Sequence, residues 1–176
     1  RAKPDDVQPL INLSPAQLHD VNVIAYQAWE TTRLRPDKLD AKTGLLHFTG
    51  ATPWPFNQWS PTQRYHIENF KQALDAPGEW FLDRDGTLFY RPLPGEDMKT
   101  ATVVAPVIDQ FVRFEGDPLA GKPVEHISLN GLSFQFSQYL LPEGGHGDGQ
   151  AAFSVPAVIM ADGARNITID KCEVAH

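Results

Sequence analysis

Cysteine is almost absent. Cys172 stands alone, which leaves no partner for a disulfide within the chain and no thiolate set for a structural zinc. Positive charge is thin as well, with 15 Lys and Arg against 22 Asp and Glu and a net charge of −7. The densest basic stretch is Arg33-Leu34-Arg35-Pro36-Asp37-Lys38. A nucleic-acid surface needs far more concentrated cation, so nucleic acid is not an expected partner. No apolar run approaches the roughly 20 residues of a membrane-spanning helix, and a membrane is not expected either. Asn12-Leu13-Ser14 and Asn166-Ile167-Thr168 match the glycosylation sequon and are read as chance matches.

What is present is ordinary globular material: 176 residues, 41% hydrophobic and 21% charged, enough for one domain or two small ones. The sequence starts at Arg1 and stops at His176 directly after an alternating apolar segment, and it is expected to be a fragment of a longer chain. Ser14-Pro15-Ala16-Gln17 and Ser60-Pro61-Thr62-Gln63 both place Ser at a cap, Pro at the first helical position and Gln at the third. Both predict short helices, and a third is predicted at Asn69-Phe70-Lys71-Gln72. The remainder reads as strand. Val21 to Tyr26 and Gly44 to Thr49 are predicted strands, and Glu79 to Leu93 a hairpin turning at Asp85-Gly86. Asp83 and Asp85 belong to that turn rather than to a calcium loop, which needs further acidic positions.

The last third of the chain contains a repeat. Phe111 to Asp117 aligns with Val158 to Ala164, and Val124 to Phe136 aligns with Ala164 to His176. Ile127 falls on Ile167, Leu129 on Ile169, Asn130 on Asp170, Leu132 on Cys172 and Phe134 on Val174. Each unit is three short alternating strands separated by turns. Strands so short bury little alone, so successive units are expected to stack at about 4.8 Å spacing. The predicted architecture is all-β: right-handed parallel β-helix rungs over 101–176, continuing beyond 176, preceded by a β-rich insertion domain with short helices over 1–100. Val112/Ile159 and Phe114/Ala161 should point inward, with Arg113 and Met160 outward. Asn130 and Asp170 should occupy equivalent turns, and Cys172 an inward apolar position.

Between Phe136 and Ala157 lie 20 residues rich in glycine. They carry Glu143, His146 and Asp148, a set able to meet a sugar hydroxyl or a cation. The plainer reading, and the expected one, is a mobile glycine loop with solvated side chains. Further back, "TPWPFNQWSPTQRYHIENF" (Thr52 to Phe70) is cut by Pro53, Pro55 and Pro61 into a rigid corner followed by a strand at Tyr65-His66-Ile67. Trp54 is expected to pack. Trp59 is a candidate sugar-stacking platform, since indole faces suit the C–H-rich faces of sugars.

Several stretches resemble a known family. "TPWPFNQW", "QRYHIENFKQALDAPGEWFLDRDGTLFYRPLPGEDM", "ISLNGLSF", "LPEGGHGDGQAAFSVPA" and "DGARNITIDKCEVAH" are similar to the central part of bacterial secreted β-helix proteins related to glycoside hydrolase family 141. The resemblance runs from about Val21 onward and is most specific around "ALDAPGEWFLDRDGTLFYRPLPGED". It implies a secreted or periplasmic parent protein, remaining segments of that parent as the fragment's partners, and plant or complex glycans as substrate, with fucosidase or xylanase activity. Where that family commonly has histidine, this chain has Gln27 and Phe136; His176 matches the family pattern.

Hydrolysis of a glycosidic bond needs an acid and a second carboxylate on either side of the bond. Glu143 and Asp148 are catalytic candidates by their loop, Glu173 by its outward orientation, and His176 by its match to the family pattern, with packing at a loop start as its plainer reading; the decisive carboxylates are expected beyond residue 176. Trp59, Arg113 and His146 are substrate-binding candidates. No metal ligand set and no cofactor are expected. Calcium is left open, in particular through a second alternative, a polysaccharide lyase, which would neutralise a uronate with it. The first alternative is a non-catalytic glycan-binding or surface-scaffold β-helix.

Overall fold

Pro4 begins the first helix, α1 (Pro4–Val7), with Asp5 and Asp6 in its first turn, where acidic charge suits the helix dipole. In a computed structural model describing residues 2–176, this helix and the 3₁₀ turn Gln8–Leu10 lead into α2 (Pro15–Asp20). Ser14 caps α2 as predicted. Gln17 N–H donates to Ser14 Oγ at 3.3 Å and Ser14 N–H to Gln17 Oε1 at 3.0 Å. The helical segment contributes Val7, Leu10 and Leu18 to a buried cluster completed by Val21 and Phe70.

Seven short strands follow: β1 (Asn22–Tyr26), β2 (Thr31–Leu34), β3 (Pro36–Asp40), β4 (Leu45–Phe48), β5 (Tyr65–Glu68), β6 (Trp80–Leu82) and β7 (Leu88–Tyr90). β1 is the middle of an antiparallel sheet ordered β2-β1-β5. Val23, Ile24 and Ala25 are all buried there, because a central strand covered on both faces has no solvent side to alternate with. β3 and β4 pair antiparallel with a bulge between Pro36 and Lys38. The predicted hairpin is β6–β7, with Gly86 at φ 86° and Thr87 N–H donating to Asp85 Oδ1 at 2.8 Å. These elements form one compact unit, running to Ala101 and joined by Leu141–Phe153; Thr102–Leu140 with Ser154–His176 form another.

Two helix predictions need correction. Pro61 and Thr62 form only a turn, because Gln63 is engaged elsewhere. Asn57 N–H donates to Gln63 Oε1 at 2.6 Å and Gln63 N–H to Asn57 Oδ1 at 3.4 Å, which leaves Gln63 unable to reach back to the cap. The segment after Asn69 is a 3₁₀ turn of three residues, Lys71–Ala73; Asn69 sits at φ 65° and gives its side-chain amide to the Asp20 carbonyl rather than to a helix.

The second unit holds β8 (Val112–Glu115), β9 (Val124–Glu125), β10 (Ser128–Asn130), β11 (Ser133–Gln135), β12 (Ile159–Asp162), β13 (Ala164–Arg165), β14 (Thr168–Asp170) and β15 (Glu173–Ala175). They form short parallel pairs in the register of the sequence repeat: Phe114 opposite Ala161, Val124 opposite Ala164, Leu129 opposite Ile169 and Phe134 opposite Val174. Corners match too. His126 and Asn166, Gly131 and Lys171, Phe136 and His176 all have positive φ. Asn130 donates its side-chain amide to Asp170 Oδ2 at 2.8 Å, so these turn residues bond to each other.

Phe114 is buried and Arg113 exposed, as the alternation requires. Ala161, Leu132, Ile169 and Val174 are exposed although their rows were expected to face inward. With two passes of chain, each strand is covered by a neighbour on one side only. Replacement of Leu10 by Ala should therefore cost about 2–5 kcal/mol of unfolding free energy, the usual range for a buried leucine. Leu132→Ala should cost well under half of that. Urea denaturation of both variants checks this, and equal losses would contradict it.

Candidate functional site

The glycine-rich loop is not a free segment. β2 is an edge strand, and its outer side is taken by the loop: Arg33 N–H donates to the His146 carbonyl and His146 N–H to the Arg33 carbonyl, each at 2.8 Å. The Arg35 guanidinium donates to the carbonyls of Leu141 at 3.1 Å and Pro142 at 3.4 Å. Thr49 Oγ1 donates to the Glu143 carbonyl at 2.7 Å. Glycine is required for this approach. A Cβ on Gly145, at φ 76°, would lie 2.4 Å from the Arg33 carbonyl oxygen, and one on Gly147 would lie 2.8 Å from Thr32 Oγ1. The expectation of a mobile loop is thus corrected: Gly145 and Gly147 serve close approach to β2 rather than freedom.

Docking brings three tryptophans together. Trp29 lies in the β1–β2 turn, where Gln27 N–H donates to the Glu30 carbonyl at 3.0 Å; Trp54 and Trp59 come from the proline corner. Ring centroids are 4.8 Å apart for Trp29 and Trp59, 5.3 Å for Trp54 and Trp59, and 6.0 Å for Trp29 and Trp54. Trp29 and Trp54 both donate their indole N–H to the Gly149 carbonyl, at 3.1 and 3.2 Å. Trp54 is half-buried and packs; Trp29 and Trp59 stay 47% and 43% exposed, leaving indole surface for a ligand.

Beside this cluster is a buried polar set. Glu30 is 7% exposed and Asp148 6%. Thr32 Oγ1 donates to Glu30 Oε1 at 2.7 Å. Gln27 Nε2 donates to the Trp54 carbonyl at 3.2 Å and lies 3.5 Å from Thr32 Oγ1. Glu30 Oε2 and Gln27 Oε1 are buried without a hydrogen-bond partner. His146 Nε2 is 3.6 Å from Asp148 Oδ2. Burial pushes the Glu30 carboxyl above the ordinary glutamate range and the negative charge of Asp148 adds to the rise, while the Thr32 bond and His146 oppose it.

The structure thus joins His146 and Asp148 with two residues absent from the sequence-derived site, Glu30 and Trp29. Glu143 is exposed beside them in the loop. In the second unit, Glu173 accepts from Ser133 Oγ at 2.9 Å and Gln135 Nε2 at 2.8 Å, so its carboxylate ties one pass of chain to the other. The Ser133 bond, then the Gln135 bond, hold its carboxyl below the ordinary range. His176 is exposed at its corner with its ring stacked on Phe136, centroids 5.0 Å apart and planes 8° from parallel. Arg113 is ion-paired with Glu115 two residues along. Among the described residues, no three His, Cys, Asp or Glu side chains are grouped as a metal site.

No family model matches the chain, and no curated protein matches it. Its fold is similar to that of a solved structure described as a glycoside hydrolase, with a TM-score of 0.63 over 74% of this chain at 23% identity. The chain spans 24% of that protein's length. At this identity the likeness is one of fold: the chain folds like part of a glycoside hydrolase, with strands predominating and a few short helices.

The glycine contacts predict how the loop responds to single methyl groups. Gly145→Ala should lift the loop from β2, with a red shift of tryptophan emission and faster proteolysis within 141–153. Gly149→Ala, where an added Cβ meets nothing within 4 Å, should leave both unchanged. Identical behaviour of the two variants would contradict the docking geometry.

Proposed function

We propose that this chain is part of a secreted or periplasmic carbohydrate-active protein of the glycoside hydrolase type, and that its exposed indoles contact the glycan. The observation that carries the proposal is the Trp29–Trp54–Trp59 cluster, in which two indoles keep open surface while a shared bond to the Gly149 carbonyl fixes Trp29 and Trp54. Indoles held in place offer apolar faces at little ordering cost, which is what stacking on a sugar ring needs. The fold likeness to a glycoside hydrolase supports the same reading.

In this proposal the second unit is two rungs of a parallel β-helix. Strands that pair in parallel with their own repeats, turning at matched positive-φ corners, come round the same way at each pass. Right-handed winding follows from the strong preference of parallel crossover connections. Further rungs of the parent would cover the exposed Leu132, Ile169 and Val174 and would supply the catalytic carboxylates. Asp148 and His146 then hold the loop, and Glu173 ties the rungs. Fucosylated and xylan-type plant glycans are the substrates that the motif resemblance favours.

Calorimetric titration of such oligosaccharides tests this. Trp59→Ala and Trp29→Ala should each weaken binding by about tenfold, the upper end of one aromatic contact. Unchanged affinity in both variants removes the indoles from the site. Binding by the full-length parent with no turnover on any glycan would favour the scaffold reading over the hydrolase.

A further inference from the structure

Glu30 occupies a place that suits a neutral carboxyl better than a charged one. Its surroundings are the β1 and β2 ends, which offer Gln27 and Thr32, and the 141–153 loop, which brings Asp148 and His146. Those two are the charged or titratable groups that face it. Thr32 satisfies Oε1, but Oε2 is buried with no donor, and Gln27 Oε1 is a second buried acceptor with none. The set is short of donors, and a proton on the Glu30 carboxyl supplies one. Charge points the same way. The Asp148 carboxyl already bears on Glu30, and ionising Glu30 would put a charge on a group buried with a single side-chain donor, Thr32.

The second carboxyl arrives only with the loop. Asp148 immediately precedes Gly149, whose carbonyl holds Trp29 and Trp54, so forces on Asp148 reach the indoles directly. We propose that Glu30, Asp148 and His146 form a proton-dependent latch, which docks the 141–153 loop and thereby holds the three tryptophans together. With the loop docked, Glu30 retains its proton above the ordinary glutamate range. With the loop released, Glu30 is hydrated and titrates normally. Docking is therefore fully favoured at and below the ordinary glutamate range and weakens as pH rises through the elevated value. The latch stands on this geometry alone; its consequence for ligand, a glycan site that assembles in acid and loosens toward alkaline pH, rests on the reading of the indoles given above.

Tryptophan emission followed against pH, with no ligand present, tests the latch. The wild type should shift to the red as pH rises, and Glu30→Gln, which keeps shape and hydrogen bonding but cannot ionise, should lose that shift. The same transition in Glu30→Gln would overturn the proposal. Infrared spectroscopy of the wild type provides a measurement that needs no variant. One protonated carboxyl band should persist where exposed carboxyls are ionised and should vanish in step with the emission shift; an emission shift with no such band would also overturn it. If both signals appear while affinity for xylan-type or fucosylated oligosaccharides does not follow them, the latch is supported and only the glycan reading falls.

Discussion

The first unit depends on one backbone contact, the reciprocal pair of hydrogen bonds between Arg33 and His146. β2 would otherwise end the sheet with open N–H and C=O groups, a feature that proteins generally cover. Covering it with a loop from far along the chain demands that two backbones meet with no side chain between them, which Gly145 allows, while Gly147 leaves room for the Thr32 side chain. Trp29 and Gly149, which come into contact as a result, are 120 residues apart in sequence.

Other features follow from this contact. The Gly149 carbonyl reaches two indole N–H groups only because the preceding residues are fixed on β2, and Asp148 is buried beside Glu30 for the same reason. A surface aromatic cluster and a buried acid pair are thus two sides of one docked loop. The second unit follows a different logic. Its cohesion comes from repetition: each strand pairs with its counterpart in the next pass, and Asn130–Asp170, Ser133–Glu173 and Arg165–Glu125 add side-chain ties between passes. The Glu173 and Glu125 carboxyls are held below the ordinary range, chiefly by the Ser133 and Arg165 bonds. These ties are present above that range and lost as pH falls through the lowered values, opposite in sign to the loop.

The repeat was legible in the sequence because alternation and turn residues recur together, and a register is fixed once both agree; Leu129 against Ile169 and Asn130 against Asp170 are cases. The Ser14 cap was legible because all its partners lie within one turn. The same local pattern at Ser60 failed, since Asn57 claims Gln63. Glycine spacing in 141–153 could not distinguish a flexible loop from a close-packed one, because both use glycine. Glu30 gave no local sign at all: its burial is created by a loop from the far end of the sequence, so only His146 and Asp148 of that set were visible beforehand.

Hydrogen–deuterium exchange at the amides of Arg33 and His146 tests the central contact most directly. Both amides should be protected, and to a similar degree, because each depends on the other's carbonyl and they are released by the same opening. Rapid exchange at His146, at the rate of an unstructured glycine-rich loop, would contradict the docking and with it the account of the indoles and of Glu30.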